Sequence, residues 1–396
     1  MGENFSNSIK KEEKNIFINY IWNERSLPMN FSKEFTDFPS TVHKTIYSNA
    51  REVIPLNLSL TDINDHSLRT SCEAYHQFIM DMLSDMYECP EAYCFPVLEL
   101  ENYLGGNKVN GMKQKYPSKT KDILSRTGNV VSRYMVLLSK LAFMGTPFND
   151  RLEISEDVFP SIENAVNSLT SPISLEKRLN ALSRIGLIQT GTGFISTRHP
   201  NMFLAMCALA QKTKGKTSGF GFYNFTKVDF RNIIKNYKPK YSDYFLPLTE
   251  TSKKIAYQLH DIAAEYRCRP TVSTFLKVDY KYKGTHVMCI DSSGSNLHIR
   301  LTGAYGWDDK TVINQRLEKE PLEFQKQVLR HIWRCNACST SHLGQFVEVL
   351  GKRQRVCGGG QIGFLWRNPT DKDINIIRHL IELRCEIINE INQCIL

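Results

Sequence analysis

The stretch Ser174-Leu-Glu-Lys-Arg-Leu-Asn-Ala-Leu-Ser-Arg-Ile-Gly186 runs directly into Leu187-Ile-Gln-Thr-Gly-Thr-Gly-Phe-Ile-Ser-Thr197 and carries the clearest fold signal in this chain of 396 residues. Ser174 is a typical N-cap residue for a helix from Leu175 to Arg184, and Gly186 is a typical residue to end it. The glycine-rich turn after Thr190 separates two short apolar runs, which predicts a hairpin. The local order is therefore helix, hinge and two strands.

This order resembles the recognition helix, hinge glycine and wing of winged-helix domains. The resemblance implies a helix lying in the major groove of DNA, with wing residues on the backbone. Lys177, Arg178 and Arg184 would then be exposed basic side chains of the helix, and Arg198 would be the first basic residue after the wing. The wing is short for a strong DNA binder. Since winged helices also bind proteins, a nucleic-acid partner and a protein partner both stay open.

Two basic segments point to a polyanionic partner. The chain has a net charge of +9, and residues 211–240 hold eight lysines and arginines against Asp229 alone, which gives +7. Lys212, Lys214 and Lys216 in this segment are the candidate phosphate contacts. Residues 108–126 hold six basic residues against Asp122, which gives +5. Local charge of this size attracts polyanions, although a solvated linker has the same composition.

A metal site is predicted near the carboxyl terminus by Cys335-Asn-Ala-Cys338-Ser-Thr-Ser-His342 and Cys357-Gly-Gly-Gly360. Three thiolates and one imidazole suit tetrahedral zinc, so the preferred ligands are Cys335, Cys338, Cys357 and His342. His331 competes for the fourth position. Two predicted strands, 345–350 and 353–356, form a hairpin that returns Cys357 toward the cysteine pair. A disulfide, unliganded thiols and an iron–sulfur cluster are the alternatives.

The chain as a whole reads as an α+β multidomain protein with four regions. The amino-terminal region is helical, the second is winged-helix-like and contains the basic segment, the third is a helix followed by antiparallel strands, and the last combines the metal hairpin with a helix. Their predicted bounds are 1–125, 126–245, 246–325 and 326–396. Thr370 and Asp373 are expected to cap the final helix.

The carboxyl-terminal half resembles uncharacterised multidomain proteins of anaerobic Gram-positive bacteria. The resemblance rests on Lys277-Val-Asp-Tyr-Lys-Tyr-Lys283, Leu297-His-Ile-Arg-Leu301, the Cys-x-x-Cys pair and the late Cys-Gly-Gly. It implies a frataxin-like, iron-chaperone-like α+β domain of unknown function over residues 246–325. The chain lacks the acidic helix that iron binding would need, so the resemblance implies the fold and leaves the activity open.

Membrane and enzyme classes receive little support from the sequence. The start, Met1 to Lys14, is polar, and no apolar run is long enough to cross a bilayer, so a soluble cytoplasmic protein without a membrane partner is expected. There is no Gly-x-x-x-x-Gly-Lys-Ser/Thr loop, no Gly-x-Ser-x-Gly elbow and no His-Glu-x-x-His helix. His286, His298 and His331 read as structural histidines. The preferred function is a zinc-stabilised binding protein; a hydrolase or transferase with an open zinc position, or a protein adaptor, are the alternatives.

Overall fold

A computed structural model gives the architecture of most of the chain, and it confirms the α+β class. It describes residues 40–104, 117–167, 173–235, 237–272, 277–292, 296–302, 315–332, 345–356 and 363–394. Two compact units divide the chain between Lys238 and Pro239. This division lies near the boundary predicted at residues 245–246.

The first unit combines helices with one small sheet. Its helices are α1 (Thr41–Arg51), α2 (Leu56–Ser59), α3 (His66–Glu88), α4 (Val97–Leu104), α5 (Pro117–Met144), α6 (Phe159–Asn167), α7 (Leu175–Ser183), α8 (Phe203–Thr213), α9 (Gly219–Thr226) and α10 (Arg231–Ile234). Its strands are β1 (Thr146–Phe148), β2 (Arg151–Glu153), β3 (Leu187–Thr190) and β4 (Gly193–Ser196). The sheet order is β1-β2-β4-β3, with every neighbouring pair antiparallel.

One hydrophobic core serves this entire unit. It extends from Val42 in α1 to Phe230, and α3, α5 and α8 pass through it. The boundary predicted at residue 125 falls inside α5, whose Ile123 and Val130 both belong to that core. The helical amino-terminal region and the region after it therefore fold around the same apolar cluster and not around two.

The segment from α7 to β4 folds as its local signals indicate. The Ser174 hydroxyl accepts a hydrogen bond from the Lys177 N–H at 3.3 Å, which is the expected N-cap. Gly186 has φ +91°, and a Cβ at this position would lie 2.7 Å from the Thr197 hydroxyl oxygen, so only glycine fits the hinge. Strands β3 and β4 pair from Leu187 with Ser196 to Thr190 with Gly193.

The second unit contains a five-stranded antiparallel sheet and two long helices. Its helices are α11 (Tyr241–Phe245), α12 (Glu250–Glu265), α13 (Leu322–Arg330) and α14 (Asp371–Cys394), and its strands are β5 (Arg269–Val272), β6 (Lys277–Tyr282), β7 (Thr285–Asp291), β8 (His298–Thr302), β9 (Gln345–Val349), β10 (Lys352–Val356) and β11 (Gly363–Arg367). The large sheet has the order β11-β8-β7-β6-β5, while β9 and β10 form a separate hairpin.

One face of the large sheet forms the core of this unit. The aligned residues Val278, Ile290, Ile299 and Trp366 form a row across four strands, and all are buried. Helix α14 packs on α12 and on β7. Asp373 accepts hydrogen bonds from the N–H and the hydroxyl of Thr370, both at 2.8 Å, which caps α14 as predicted. Because side chains alternate along each strand, the other face of the sheet carries the polar residues.

Candidate nucleic-acid interface

The outward face of α7 is polar but only weakly basic. Lys177 is exposed there, as predicted, together with Glu176, Asn180 and Ser183. The Ser183 hydroxyl donates to the Asn180 backbone carbonyl at 2.7 Å. This face offers one cation, one carboxylate and two neutral hydrogen-bonding side chains.

Arg178 does not belong to that face, and its expected exposure is wrong. Its side chain is fully buried, with the guanidinium 5.6 Å from the centre of the Tyr134 ring on α5. Its three guanidinium nitrogens have no hydrogen-bond partner among the residues that the structure describes. Burial lowers the pKa of Arg178. The reason is helical geometry: Arg178 lies three and four positions from the buried Leu175 and Leu182, on the inward stripe.

Arg184 is exposed but already bound within the protein. Its Nε lies 2.8 Å from Oδ2 of Asp85, and its Nη2 lies 3.1 Å from Oδ1, a bidentate pair between α3 and the end of α7. Tyr93 donates a further hydrogen bond to the same carboxylate at 2.8 Å. Burial opposes ionisation of Asp85, but the hydrogen bonds from Arg184 and Tyr93 prevail and hold its pKa below the ordinary value. Arg184 therefore joins two helices and is not free to read a base.

The positive charge of the residues after β4 is also partly neutralised by acidic side chains. Arg198 is exposed, and its charge acts on Asp81 and Asp85 of α3. The neighbouring His199 contacts Asp81, with Nε2 and Oδ2 2.9 Å apart. The carboxylates of α3 therefore reduce the positive potential around Arg198.

The basic segment of residues 211–240 is partly neutralised by the fold. Lys227 pairs with Glu52, Arg231 with Asp229, and Lys235 with Asp62. The first and last of these carboxylates lie far away in sequence, so a local charge count could not include them. The net charge of +7 counted over residues 211–240 therefore overstates the positive charge on the surface of the folded unit.

The three candidate lysines at the end of α8 remain available. Lys214 and Lys216 are exposed and Lys212 is half-buried, and the described part of the chain offers none of them an ion pair. Lys214 adopts a left-handed conformation that ends α8. The Lys140 ammonium donates to the Gly215 carbonyl at 2.7 Å and holds this turn against α5. Cations at a helix carboxyl terminus also stabilise the helix, so a structural role accounts for part of this charge.

The predicted zinc ligands Cys335, Cys338, His342 and Cys357 all lie outside the described residues. Within the described ranges, no group of three or more metal-ligating side chains is close enough to hold an ion. The competing ligand His331 is described: its ring stacks on Trp366 with the centroids 4.6 Å apart, and burial lowers its pKa. The hairpin between the predicted ligands is present, since β9 and β10 pair from Val349 with Lys352 to Gln345 with Val356.

A polar cluster on the second face of the large sheet, with Cys289 and Asp291 buried, was missed by the sequence reasoning. His286 Nε2 lies 3.1 Å from Asp279 Oδ1, and the Arg300 guanidinium donates to Asp291 at 2.7 Å. Cys289 lies between these pairs, aligned with Asp279 and Arg300, and burial and the two carboxylates raise its thiol pKa. The thiol therefore stays protonated and is a poor nucleophile. The alternation Lys277-x-Asp279-x-Lys281 was the available signal.

Comparison of the chain with protein-family models, with curated proteins and with solved structures found no match. Among the described helices, none is long and apolar enough to span a membrane. The function must therefore be argued from the geometry of the chain itself.

Proposed function

We propose that the protein binds nucleic acid through a winged-helix-like module formed by residues 117–196. The observation that supports this most is the order of elements: a long helix, a short strand pair, two helices, and a hairpin whose second strand β4 pairs with β2. Helix α7 occupies the recognition position and β3–β4 the wing. The shared core with α3 and α8 makes the module part of a larger rigid unit.

The contacts proposed for α7 differ from those inferred from sequence. Lys177 is kept, and Asn180 takes the place of Arg178, which is buried, and of Arg184, which is paired with Asp85. A lysine suits a phosphate, and an asparagine amide can donate to and accept from an adenine edge. Arg198, Lys214 and Lys216 would contact the backbone. Most of the affinity would then be electrostatic and independent of sequence, with a modest contribution from α7.

A salt-dependent titration tests this proposal. Fluorescence anisotropy with a labelled duplex is expected to show binding that weakens steeply between about 50 and 200 mM salt. Replacing Lys177, Arg198, Lys214 and Lys216 by Gln should reduce the salt slope by about 0.9 per lost phosphate contact. Lys177→Gln is also measured as a single variant. Its matched control is Lys254→Gln, at an exposed lysine on α12. If the parent and the fourfold variant have equal salt slopes, the winged-helix-like module does not contact the nucleic acid.

We further propose that Cys335, Cys338, His342 and Cys357 hold one structural zinc. The described hairpin supports this, because Val356, which precedes Cys357, pairs with Gln345, three residues after His342. The stacking of His331 on Trp366 favours His342 as the fourth ligand. Cys357→Ser should lose bound zinc and melt at a lower temperature, because metal binding is coupled to folding. Cys89→Ser is the control, and equal zinc content in the two variants would contradict a shared site.

A second candidate function is protein binding by the small sheet. Phe148, Arg151, Ile195 and Ile188 are aligned across its four strands, so they share one face. Phe148 is 53% exposed and Ile188 is 38% exposed, on the two edge strands of this small sheet. Ile188→Lys together with Phe148→Lys should then abolish a protein contact and leave nucleic-acid affinity unchanged or higher. Loss of nucleic-acid affinity in this variant would argue against the assignment of this sheet face to protein binding.

A further inference from the structure

A cluster of four basic residues lies at one end of the large sheet in the second unit. Arg269 on β5 and Lys281 on β6 are directly opposite each other in the antiparallel ladder. Arg267 precedes β5 by two residues, and Lys283 follows β6 by one, in the turn before β7. All four residues are exposed. We call them the sheet-end cluster.

The arrangement is unfavourable for the protein alone. Side chains directly opposite each other on antiparallel strands are close neighbours, and like charges in this position repel. None of the four residues forms an ion pair with any part of the chain that the structure describes. The nearest carboxylate along β6, Asp279, is engaged by His286, and Asp291 is engaged by Arg300. This contrasts with the first unit, where Lys227 and Lys235 each have a carboxylate partner.

Protection of a sheet edge explains only part of the cluster. Strand β5 is the edge strand, and a charged residue next to Pro270 discourages pairing with another chain. That role requires a cation on β5 itself. It does not require the second cation on β6, or those at Arg267 and Lys283, which lie outside both strands.

We propose that the sheet-end cluster binds the phosphate backbone of a nucleic acid, as a contact separate from the winged-helix-like module. The choice of a nucleic acid as the ligand rests on the proposed function. That the ligand is a polyanion rests on charge complementarity with the four cations. Arg269 and Lys281 are a directly opposed pair whose Cβ atoms are about 5 Å apart, so both cations can reach the same phosphate group or neighbouring ones. The aromatic side chain between Lys281 and Lys283, Tyr282, is only partly exposed: its ring lies under the Lys283 ammonium at 5.5 Å and its hydroxyl donates to Asn389 at 3.0 Å. The cluster therefore contacts the backbone without reading sequence.

The test neutralises the cluster in the full chain. Arg267, Arg269, Lys281 and Lys283 are replaced together by Gln, and a labelled random-sequence duplex is titrated at several salt concentrations. The expected result is a loss of affinity of tenfold or more at low salt, with the salt slope reduced by about 0.9 for each lost contact. The melting temperature should not fall, because repulsion is removed.

The control changes the same number of charges elsewhere in the unit. Lys254, Lys319, Arg330 and Lys372 are exposed and are replaced together by Gln. If the cluster variant and this control have the same affinity and the same salt slope, the inference is overturned. Binding of the parent to anionic phospholipid vesicles, without binding to the duplex, would overturn it as well.

The outcomes also separate this inference from the proposed function. Loss of affinity in the cluster variant, with none in the Lys177, Arg198, Lys214 and Lys216 variant, supports the sheet-end cluster and contradicts the winged-helix-like interface. The reverse pattern supports that interface and overturns the cluster. Loss in both variants supports both contacts.

Discussion

Arg178→Met is expected to stabilise the protein and to leave nucleic-acid binding unchanged. The three guanidinium nitrogens are buried without a hydrogen-bond partner in the described structure. Replacing buried charged groups by apolar side chains of similar volume is often neutral or stabilises by about 1–4 kcal/mol. The change also loses the cation–π contact with Tyr134, worth about 0.5–2 kcal/mol. We therefore expect a net gain of about 1–2 kcal/mol in the free energy of unfolding.

Urea unfolding followed by circular dichroism measures this gain, and anisotropy measures the affinity for a labelled duplex. Arg178→Lys is the control, because it keeps a buried charge and should not be stabilised. If Arg178→Met instead loses more than about 2 kcal/mol, the buried guanidinium has a stabilising partner after all. If its stability is unchanged and its affinity falls tenfold or more, Arg178 contacts the nucleic acid. The first result would refute the expectation that the buried charge destabilises the protein, and the second would refute the assignment of Arg178 to the core.

Three further predictions concern other contacts. The ion pair between Arg184 and Asp85 should contribute about 1 kcal/mol in a double-mutant cycle at neutral pH. Because folding lowers the pKa of Asp85, this contribution is present above its unfolded pKa near 3.9 and is lost as the pH falls through the lower folded value; a coupling energy that is the same with Asp85 protonated as with Asp85 ionised would contradict it. Cys268 and Cys385 have their sulfur atoms 3.8 Å apart, so oxidation with diamide should join them in a disulfide. Closing a loop over their separation of 117 residues would stabilise the unit by up to about 5 kcal/mol, and a tryptic digest without the linked peptide would disprove the pairing. Cobalt substituted for zinc should give a tetrahedral, thiolate-rich spectrum that azide does not change; a shift with azide would favour the enzyme with an open metal position.

Local signals predicted local structure well. The Ser174 cap, the Gly186 hinge and the Thr370 cap depend on a few adjacent residues and general backbone geometry, and each is present. The boundary predicted at residue 125 does not separate two units. The spacing of apolar residues shows that a helix is buried, but this spacing does not show which other helices pack against it. Helix α5 shares its core with elements on both sides of that boundary.

The candidate site was predicted less well because charge in sequence is not charge on a surface. Arg178 sits on the apolar stripe of its own helix, and its spacing from Leu175 and Leu182 was enough to place it inside. By contrast, the pairing of Arg184 with Asp85 joins residues separated by 99 positions. No local pattern reveals such a partner. The sheet-end cluster likewise depends on the register between β5 and β6.

The most direct test of the account is the salt dependence of nucleic-acid binding by the full chain. Anisotropy with a random-sequence duplex should show binding whose logarithmic affinity falls linearly with the logarithm of the salt concentration. The slope should become shallower when Lys177, Arg198, Lys214 and Lys216 are replaced by Gln. The absence of binding by the parent at micromolar protein and low salt would contradict the proposed function.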